Sequence, residues 1–133
     1  MPTKRLSVRT EKRAQFVDIT GKVKQAVQDA GISDGACTVY VPHTTAGVTI
    51  NENADPSVVR DMLAHLEQLV PERGNYTHAE GNSDSHIKSS IMGASVTVPV
   101  SEGRLVLGTW QGIYFCEFDG PRSRSCVVTT VGG

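Results

Sequence analysis

The stretch SVTVPVSEGRLVLGTWQGIYFCEFDG, Ser95–Gly120, constrains the fold most. Runs rich in Val, Ile and aromatic residues are separated there only by the short connections SEG and QG, and connections that tight join antiparallel neighbours. The runs fall at Ala94–Val100, Arg104–Trp110 and Ile113–Phe118, and similar strand-like runs lie at Lys4–Thr10, Gln15–Ile19, Ala36–Val41, Gly47–Asn51 and Ser125–Val131. Two amphipathic helices interrupt them. The first runs over Thr20–Ala30, with Thr20 as N-cap and Gly31 suited to the left-handed position beyond the last turn. The second follows Asp55 as cap and Pro56 at the first helical position, carries the stripe Val59, Met62, Leu63, Leu66, Leu69 and Val70, and stops before Pro71. A shorter helix spans about Asp84 to Gly93, with Ile87 and Ile91 expected on its inner face. The pattern predicts one α+β domain over residues 1–133, its mixed or largely antiparallel sheet packed by two long helices and one short helix.

Composition narrows the functional classes. With 38% hydrophobic and 20% charged residues the chain suits a soluble globular domain, and a net charge of -1 gives no general attraction to nucleic acid or to anionic membrane. The basic run Lys4, Arg5, Arg9, Lys12 and Arg13 reads as a solvated strand face. No stretch approaches the length of a membrane span, and no leader-like apolar segment opens the chain, so the expected location is cytoplasmic. Cys37, Cys116 and Cys126 are widely separated and read as buried free thiols.

Three polar clusters are candidates for chemistry. VPHTTAGVTINENADP sets His43, Thr44 and Thr45 beyond one strand and Asn51, Glu52 and Asp55 beyond the next. If those strands pair as a hairpin the two groups lie at opposite ends, leaving a different pairing or a neighbouring subunit to complete a site. YTHAEGNSDSHIK holds His78, Glu80, Asn82, Asp84 and His86. Imidazoles at His43, His78 and His86 can hold zinc or a similar ion with a position left open for water or substrate. The bland alternative makes them loop polarity, with Asn82, Ser83 and Asp84 serving as turn former and helix cap. His65, inside the second helix, reads as a solvated helix residue. In GRLVLGTWQGIYFCEFDGPRSR, Trp110 reads as a packing anchor rather than a stacking platform. Arg122 and Arg124 either receive a phosphate or carboxylate or pair with Glu117 or Asp119.

Taken together these segments resemble the YjbQ-like family, also described as secondary thiamine-phosphate synthase, over nearly the whole length. SVTVPVSEGRLVLGTWQGI carries the resemblance most specifically, joined by PHTTAGVTINE, by the H…GN…HIK segment and by EFDGPR. The resemblance implies a compact α+β protein that forms homotrimers, with a divalent ion, zinc or magnesium, held by His43, His78 and His86. It implies Thr45, Asn51, Glu52 and Asp55 as polar pocket residues, and the reaction's chemistry makes Glu52, Asp55 and Asp84 the candidate catalytic carboxylates. Thr45, Asn51, Asn82, Lys88, Arg122 and Arg124 become candidate contacts for a phosphorylated small molecule. The implied reaction is a weak thiamine-phosphate synthase activity, joining hydroxymethylpyrimidine diphosphate to thiazole phosphate with release of diphosphate. Two alternatives stay open: a metal-dependent hydrolase with Glu52 or Asp84 as general base, and a non-catalytic trimer that binds a small anion.

Overall fold

The computed structural model describes residues 3–133. Its order is β1 (Thr3–Arg9), β2 (Gln15–Asp18), α1 (Thr20–Ala30), β3 (Gly35–Tyr40), β4 (Ala46–Glu52), α2 (Pro56–Leu69), α3 (Ser83–Met92), β5 (Ser95–Ser101), β6 (Arg104–Leu105), β7 (Gln111–Glu117) and β8 (Ser123–Gly132). The strands form two sheets rather than one: a five-stranded sheet ordered β1-β8-β3-β5-β6 and a three-stranded sheet ordered β2-β7-β4. Every strand pairing among the described residues is antiparallel.

Alternation along β7 explains the layering. Ile113 and Phe115 face a core shared with Val39, Val98, Val128 and the α1 residues Val23 and Val27. Tyr114 and Cys116, half a pleat away, join Phe16, Phe118 and the α2 residue Leu66 in a second cluster. A strand buried on both faces reads as a continuous apolar run, which is what IYFC is. The larger sheet covers one side of the smaller sheet and α2 covers the other.

Several expectations need correction. SEG does close the β5–β6 hairpin, with Glu102 at φ 52 and Gly103 at φ 77, but QG is no turn: Gln111 and Gly112 open β7. The run expected at Arg104–Trp110 pairs only over Arg104–Leu105. The segment 106–110 instead carries the chain between sheets, leaving Trp110 62% exposed rather than anchored in packing. Thr20 does not cap α1. The Asp18 carboxylate accepts from the Thr20 N–H at 2.9 Å and from its hydroxyl at 2.6 Å, while that hydroxyl accepts from the Ile113 N–H. Asp55 does cap α2, accepting from the Ser57 N–H at 2.9 Å, although Leu69 at the end of the expected stripe is exposed.

Helix α3 departs furthest from its expected packing. Ile87 and Ile91 are exposed, and the buried residues are Asp84, Ser85, Lys88 and Ser89. The reason is proximity to β4: a Cβ on Gly47 would lie 2.7 Å from the Gly93 carbonyl, so the helix end rests on glycine backbone with no room for branched side chains. Hydroxyls make the joint, Ser85 donating to the Phe118 carbonyl and Ser89 to the Thr44 carbonyl. Charges complete it. Asp84, fully buried, accepts from both terminal nitrogens of Arg13 at 3.0 and 3.1 Å and from Lys88 at 3.0 Å, and Lys88 also donates to Glu67 at 2.6 Å. Burial opposes ionisation of Asp84, but the hydrogen bonds from Arg13 and Lys88 outweigh it and hold the carboxyl below its ordinary range.

Asp84→Ala leaves the buried Lys88 ammonium with Glu67 alone and takes the bidentate partner from Arg13, which is expected to destabilise the protein by about 3–5 kcal/mol. Urea unfolding of the variant beside the parent chain measures it.

Candidate functional site

Three clefts meet at His86. One, of about 460 Å³, lies between His43 and the end of α3. A second, of about 360 Å³, is polar and is lined by Thr45, His78, Asn82, His86, Arg122 and Arg124 among others. The third, of about 470 Å³, also includes His78 and His86 and extends toward Tyr76 and Ile87. His86 is carried by α3, whose buried charges fix it; His78 comes from the connection between α2 and α3. Their rings stand nearly perpendicular, 87° apart, with centroids 5.5 Å apart.

His43 is held from behind. Its Nε2 lies 3.1 Å from both the backbone nitrogen and the backbone oxygen of Ser125, leaving Nδ1 as the nitrogen not engaged by that strand. Burial, then the nearby Arg124 guanidinium, keep its pKa below the ordinary histidine value. His43 and His86 line the same cleft. Among the described residues, however, no three His, Cys, Asp or Glu side chains converge on one point.

Both arginines are paired, as one reading of the sequence allowed, yet differently. Arg124, nearly buried, donates from Nε to Glu117 at 2.8 Å and also reaches Thr45 Oγ1 at 2.8 Å. Glu117 is fully buried, and although burial raises its pKa, Arg124, the Asp119 N–H and the Thr10 hydroxyl bring it below the ordinary value. Arg122 meets Asp119 at 3.1 Å while its side chain remains 53% exposed, so it is the arginine free to meet a solute. Asn82 donates to Asp119 at 2.9 Å, and its buried Oδ1 has no hydrogen-bond partner among the described residues.

Other expected site residues lie elsewhere. Ala46 pairs with Glu117 at the histidine end of β4 and Glu52 with Gln111 at the other, a separation of about 20 Å at roughly 3.3 Å per residue. Asn51 and Glu52 therefore sit away from the clefts within one chain, as does Asp55, which caps α2. The feared opposition of HTT and NENAD is real, although β3 and β4 belong to different sheets and form no hairpin. Asp84 and Lys88 lie beneath the site: with 0% and 2% of their surfaces exposed, they hold α3 and cannot meet a substrate. Arg13 was missed as a contributor, because a lone cation in a basic run carries no sign of a partner 71 positions away.

The profile described as UPF0047 protein YjbQ-like matches residues 4–133. The chain belongs to this family. It is 54% identical over 130 residues to UPF0047 protein YugU of Bacillus subtilis, covering 97% of this chain and 98% of that one. It is 53% identical over 125 residues to UPF0047 protein MJ1081 of Methanocaldococcus jannaschii, covering 94% and 91%. A YjbQ/UPF0047 crystal structure from Clostridium acetobutylicum superposes with a TM-score of 0.95 at 54% identity over 96% of this chain and 99% of that one. The family's fold is thus the two-sheet α+β arrangement described above, and no helix among the described residues is long and apolar enough to cross a membrane.

Depression of the His43 pKa has a definite sign. The unfolded chain binds a proton near pH 6.5 that the folded chain resists, so stability is full above that value and is lost as pH falls through the lower folded one. Unfolding free energies from pH 7.5 to 5.5 are expected to decline more steeply for the parent than for His43→Gln.

Proposed function

We propose that the histidine clefts hold a divalent metal ion and a phosphorylated small molecule, and that the protein is an enzyme of the thiamine-phosphate synthase type. The observation that carries this reading is the His78–His86 pair, set at 5.5 Å on a cleft whose other wall presents Arg122. Two imidazoles fit zinc better than magnesium, which prefers an all-oxygen shell. His78 and His86 would hold the ion, with His43 contributing from the adjoining cleft through Nδ1 while the Ser125 backbone orients its ring. A bound ion would supply Lewis-acid stabilisation to a departing diphosphate.

The chain's own groups have separate tasks. Arg122 offers positive charge where the leaving group gains negative charge, and Thr45 and Asn82 orient the phosphate-bearing end. Arg124 serves by holding Thr45 and Glu117 in place rather than by meeting substrate directly. Breaking the methylene C–O bond of the pyrimidine diphosphate and forming a C–N bond to the thiazole nitrogen requires no covalent nucleophile from the protein. The hydrolase alternative loses Asp84 to burial and, within one chain, Glu52 to distance. The anion-binding alternative shares this cleft and is separated from the enzyme by turnover alone.

Assembly as a homotrimer in the cytoplasm belongs to the same proposal. All three thiols are free and buried, which suits a reducing compartment. The outward face of the larger sheet supports association with copies of itself. Tyr40 pairs across strands with Val127 and Ser95, Thr38 with Thr129 and Thr97, and Ala36 with Val131 and Pro99, giving nine neighbouring positions without a charge. Thr38→Arg is expected to shift a trimer toward monomer in size-exclusion chromatography with light scattering.

Purified His78→Ala and His86→Ala are each expected to retain at most about a tenth of the parent's metal and to form thiamine phosphate correspondingly more slowly from the two precursors. Elemental analysis and product formation at equal protein concentration check both. Full metal content in both variants would overturn the ligand assignment, and no turnover by folded, metal-loaded parent protein would overturn the synthase reading.

A further inference from the structure

Away from the histidines, a groove of about 360 Å³ opens between α1 and the β5–β6 hairpin. Its floor belongs to the core: Val27 is buried, and Leu105 packs against the larger hydrophobic cluster. Its rim is polar and cationic, with Lys24 and Gln28 exposed one helical turn apart on α1 and Arg104 exposed on β6. The two walls are tied together. The Gly103 N–H donates to the Ser33 carbonyl at 2.8 Å and the Glu102 N–H to the Asp34 carboxylate at 3.3 Å, so the hairpin end is pinned to the loop that follows α1. A single exposed lysine or arginine is ordinary. Here, among the described residues, neither Lys24 nor Arg104 has an ion pair or a side-chain hydrogen bond, and the Gln28 amide has no partner either. Acids nearby in the sequence do not neutralise the rim. Asp29 is engaged by Lys4 and Gln25, Asp34 by the hairpin, and Glu102 does not line the groove.

We infer that this groove is a second ligand site, which takes a small organic anion with an aliphatic body: the oxyanion head between Lys24 and Arg104, the body on Val27 and Leu105. A guanidinium meets a pair of carboxylate or phosphate oxygens through two parallel donors, and an ammonium adds a point charge. An apolar floor with a few polar groups around it is the usual build of a small-ligand pocket. Walls fixed before binding lower the cost of ordering them. The occupant is distinct from anything held by the histidines. No residue lining this groove lines any of the three histidine clefts. The seven-residue strand β5 separates them, running from beside Ala94 at the His43 cleft to the turn before Arg104, about 20 Å at roughly 3.3 Å per residue. The groove also lies on the α1 side of the larger sheet, opposite the face that bears Thr38 and Tyr40, so association through that face does not draw on it.

Calorimetric titration of the whole protein with hexanoate, hexyl phosphate, acetate and hexanol tests the site. Hexanoate or hexyl phosphate is expected to bind at least about tenfold more tightly than acetate and than hexanol, and the tighter of the two names the head group. Arg104→Gln should weaken that ligand at least about fivefold. Gln28→Trp, which fills the groove from an exposed helix position without touching the core, should weaken it as far. Circular dichroism confirms that each variant is folded, and Lys24→Gln decides if Arg104→Gln is not. Binding of hexanoate and hexyl phosphate no tighter than that of acetate, or tight binding that survives either substitution in a folded variant, would overturn the inference. Metal content and product formation by Arg104→Gln should equal the parent's, so this groove and the histidine clefts stand or fall independently.

Discussion

The buried carboxylate of Asp84 is the constraint on which the rest of the site depends. It joins three parts of the chain distant in sequence: Arg13 from the β1–β2 connection, Lys88 one turn along α3 and, through Lys88, Glu67 near the end of α2. Taking these charges out of water is costly, and attraction offsets the cost only because each partner is placed to hydrogen-bond. The arrangement is consequently intolerant of slippage. A helix seated by leucines can roll by several degrees and repack, whereas a helix seated by a bidentate guanidinium cannot roll without leaving a charge unpaired. His86 lies on that helix, so the rigidity of the clefts originates below their floor.

A second charge pair does the same at the opposite wall. Glu117 at the end of β7 gathers Arg124, Thr10 and two backbone N–H groups, and so ties the start of β8 and the end of β1 to the smaller sheet. The strand that carries Ser125 is thereby set against His43. Two acids and three cations scattered along the sequence are the means by which two sheets and a helix hold their relative positions.

Legibility of the sequence followed periodicity. The α1 range, the α2 cap and the strand-rich antiparallel character could all be read because each depends on neighbouring residues: the 3.6-residue stripe, the DP opening, the SEG turn. The split into two sheets was hidden, since the crossing segment 106–110 is as rich in Val, Leu and Trp as a strand and gives up its pairing only to bridge the layers. The inner face of α3 was misread for the same reason in reverse. Hydrophobicity marked Ile87 and Ile91, but the close approach to Gly47 excludes bulky apolar groups and admits serines and paired charges. Of the candidate site, the three histidines and the arginines occupy adjoining clefts, while Asn51, Glu52 and Asp55 belong to the far end of a strand. Sequence adjacency on β4 could not show that distance, because a strand carries consecutive residues apart at the fastest rate the backbone allows.

The contact between Gly47 and the end of α3 sets the gap between helix and strand by the thickness of two main chains. Beyond the main chain only the Met92 Cβ, 3.2 Å from where a Gly47 Cβ would stand, enters that distance. Core substitutions of similar bulk leave that main-chain spacing in place, whereas Phe115, its ring 6.3 Å from the His43 ring, joins the core directly to the pocket. The helix wall of the pocket is in this way gauged by backbone, and its His43 wall by the core.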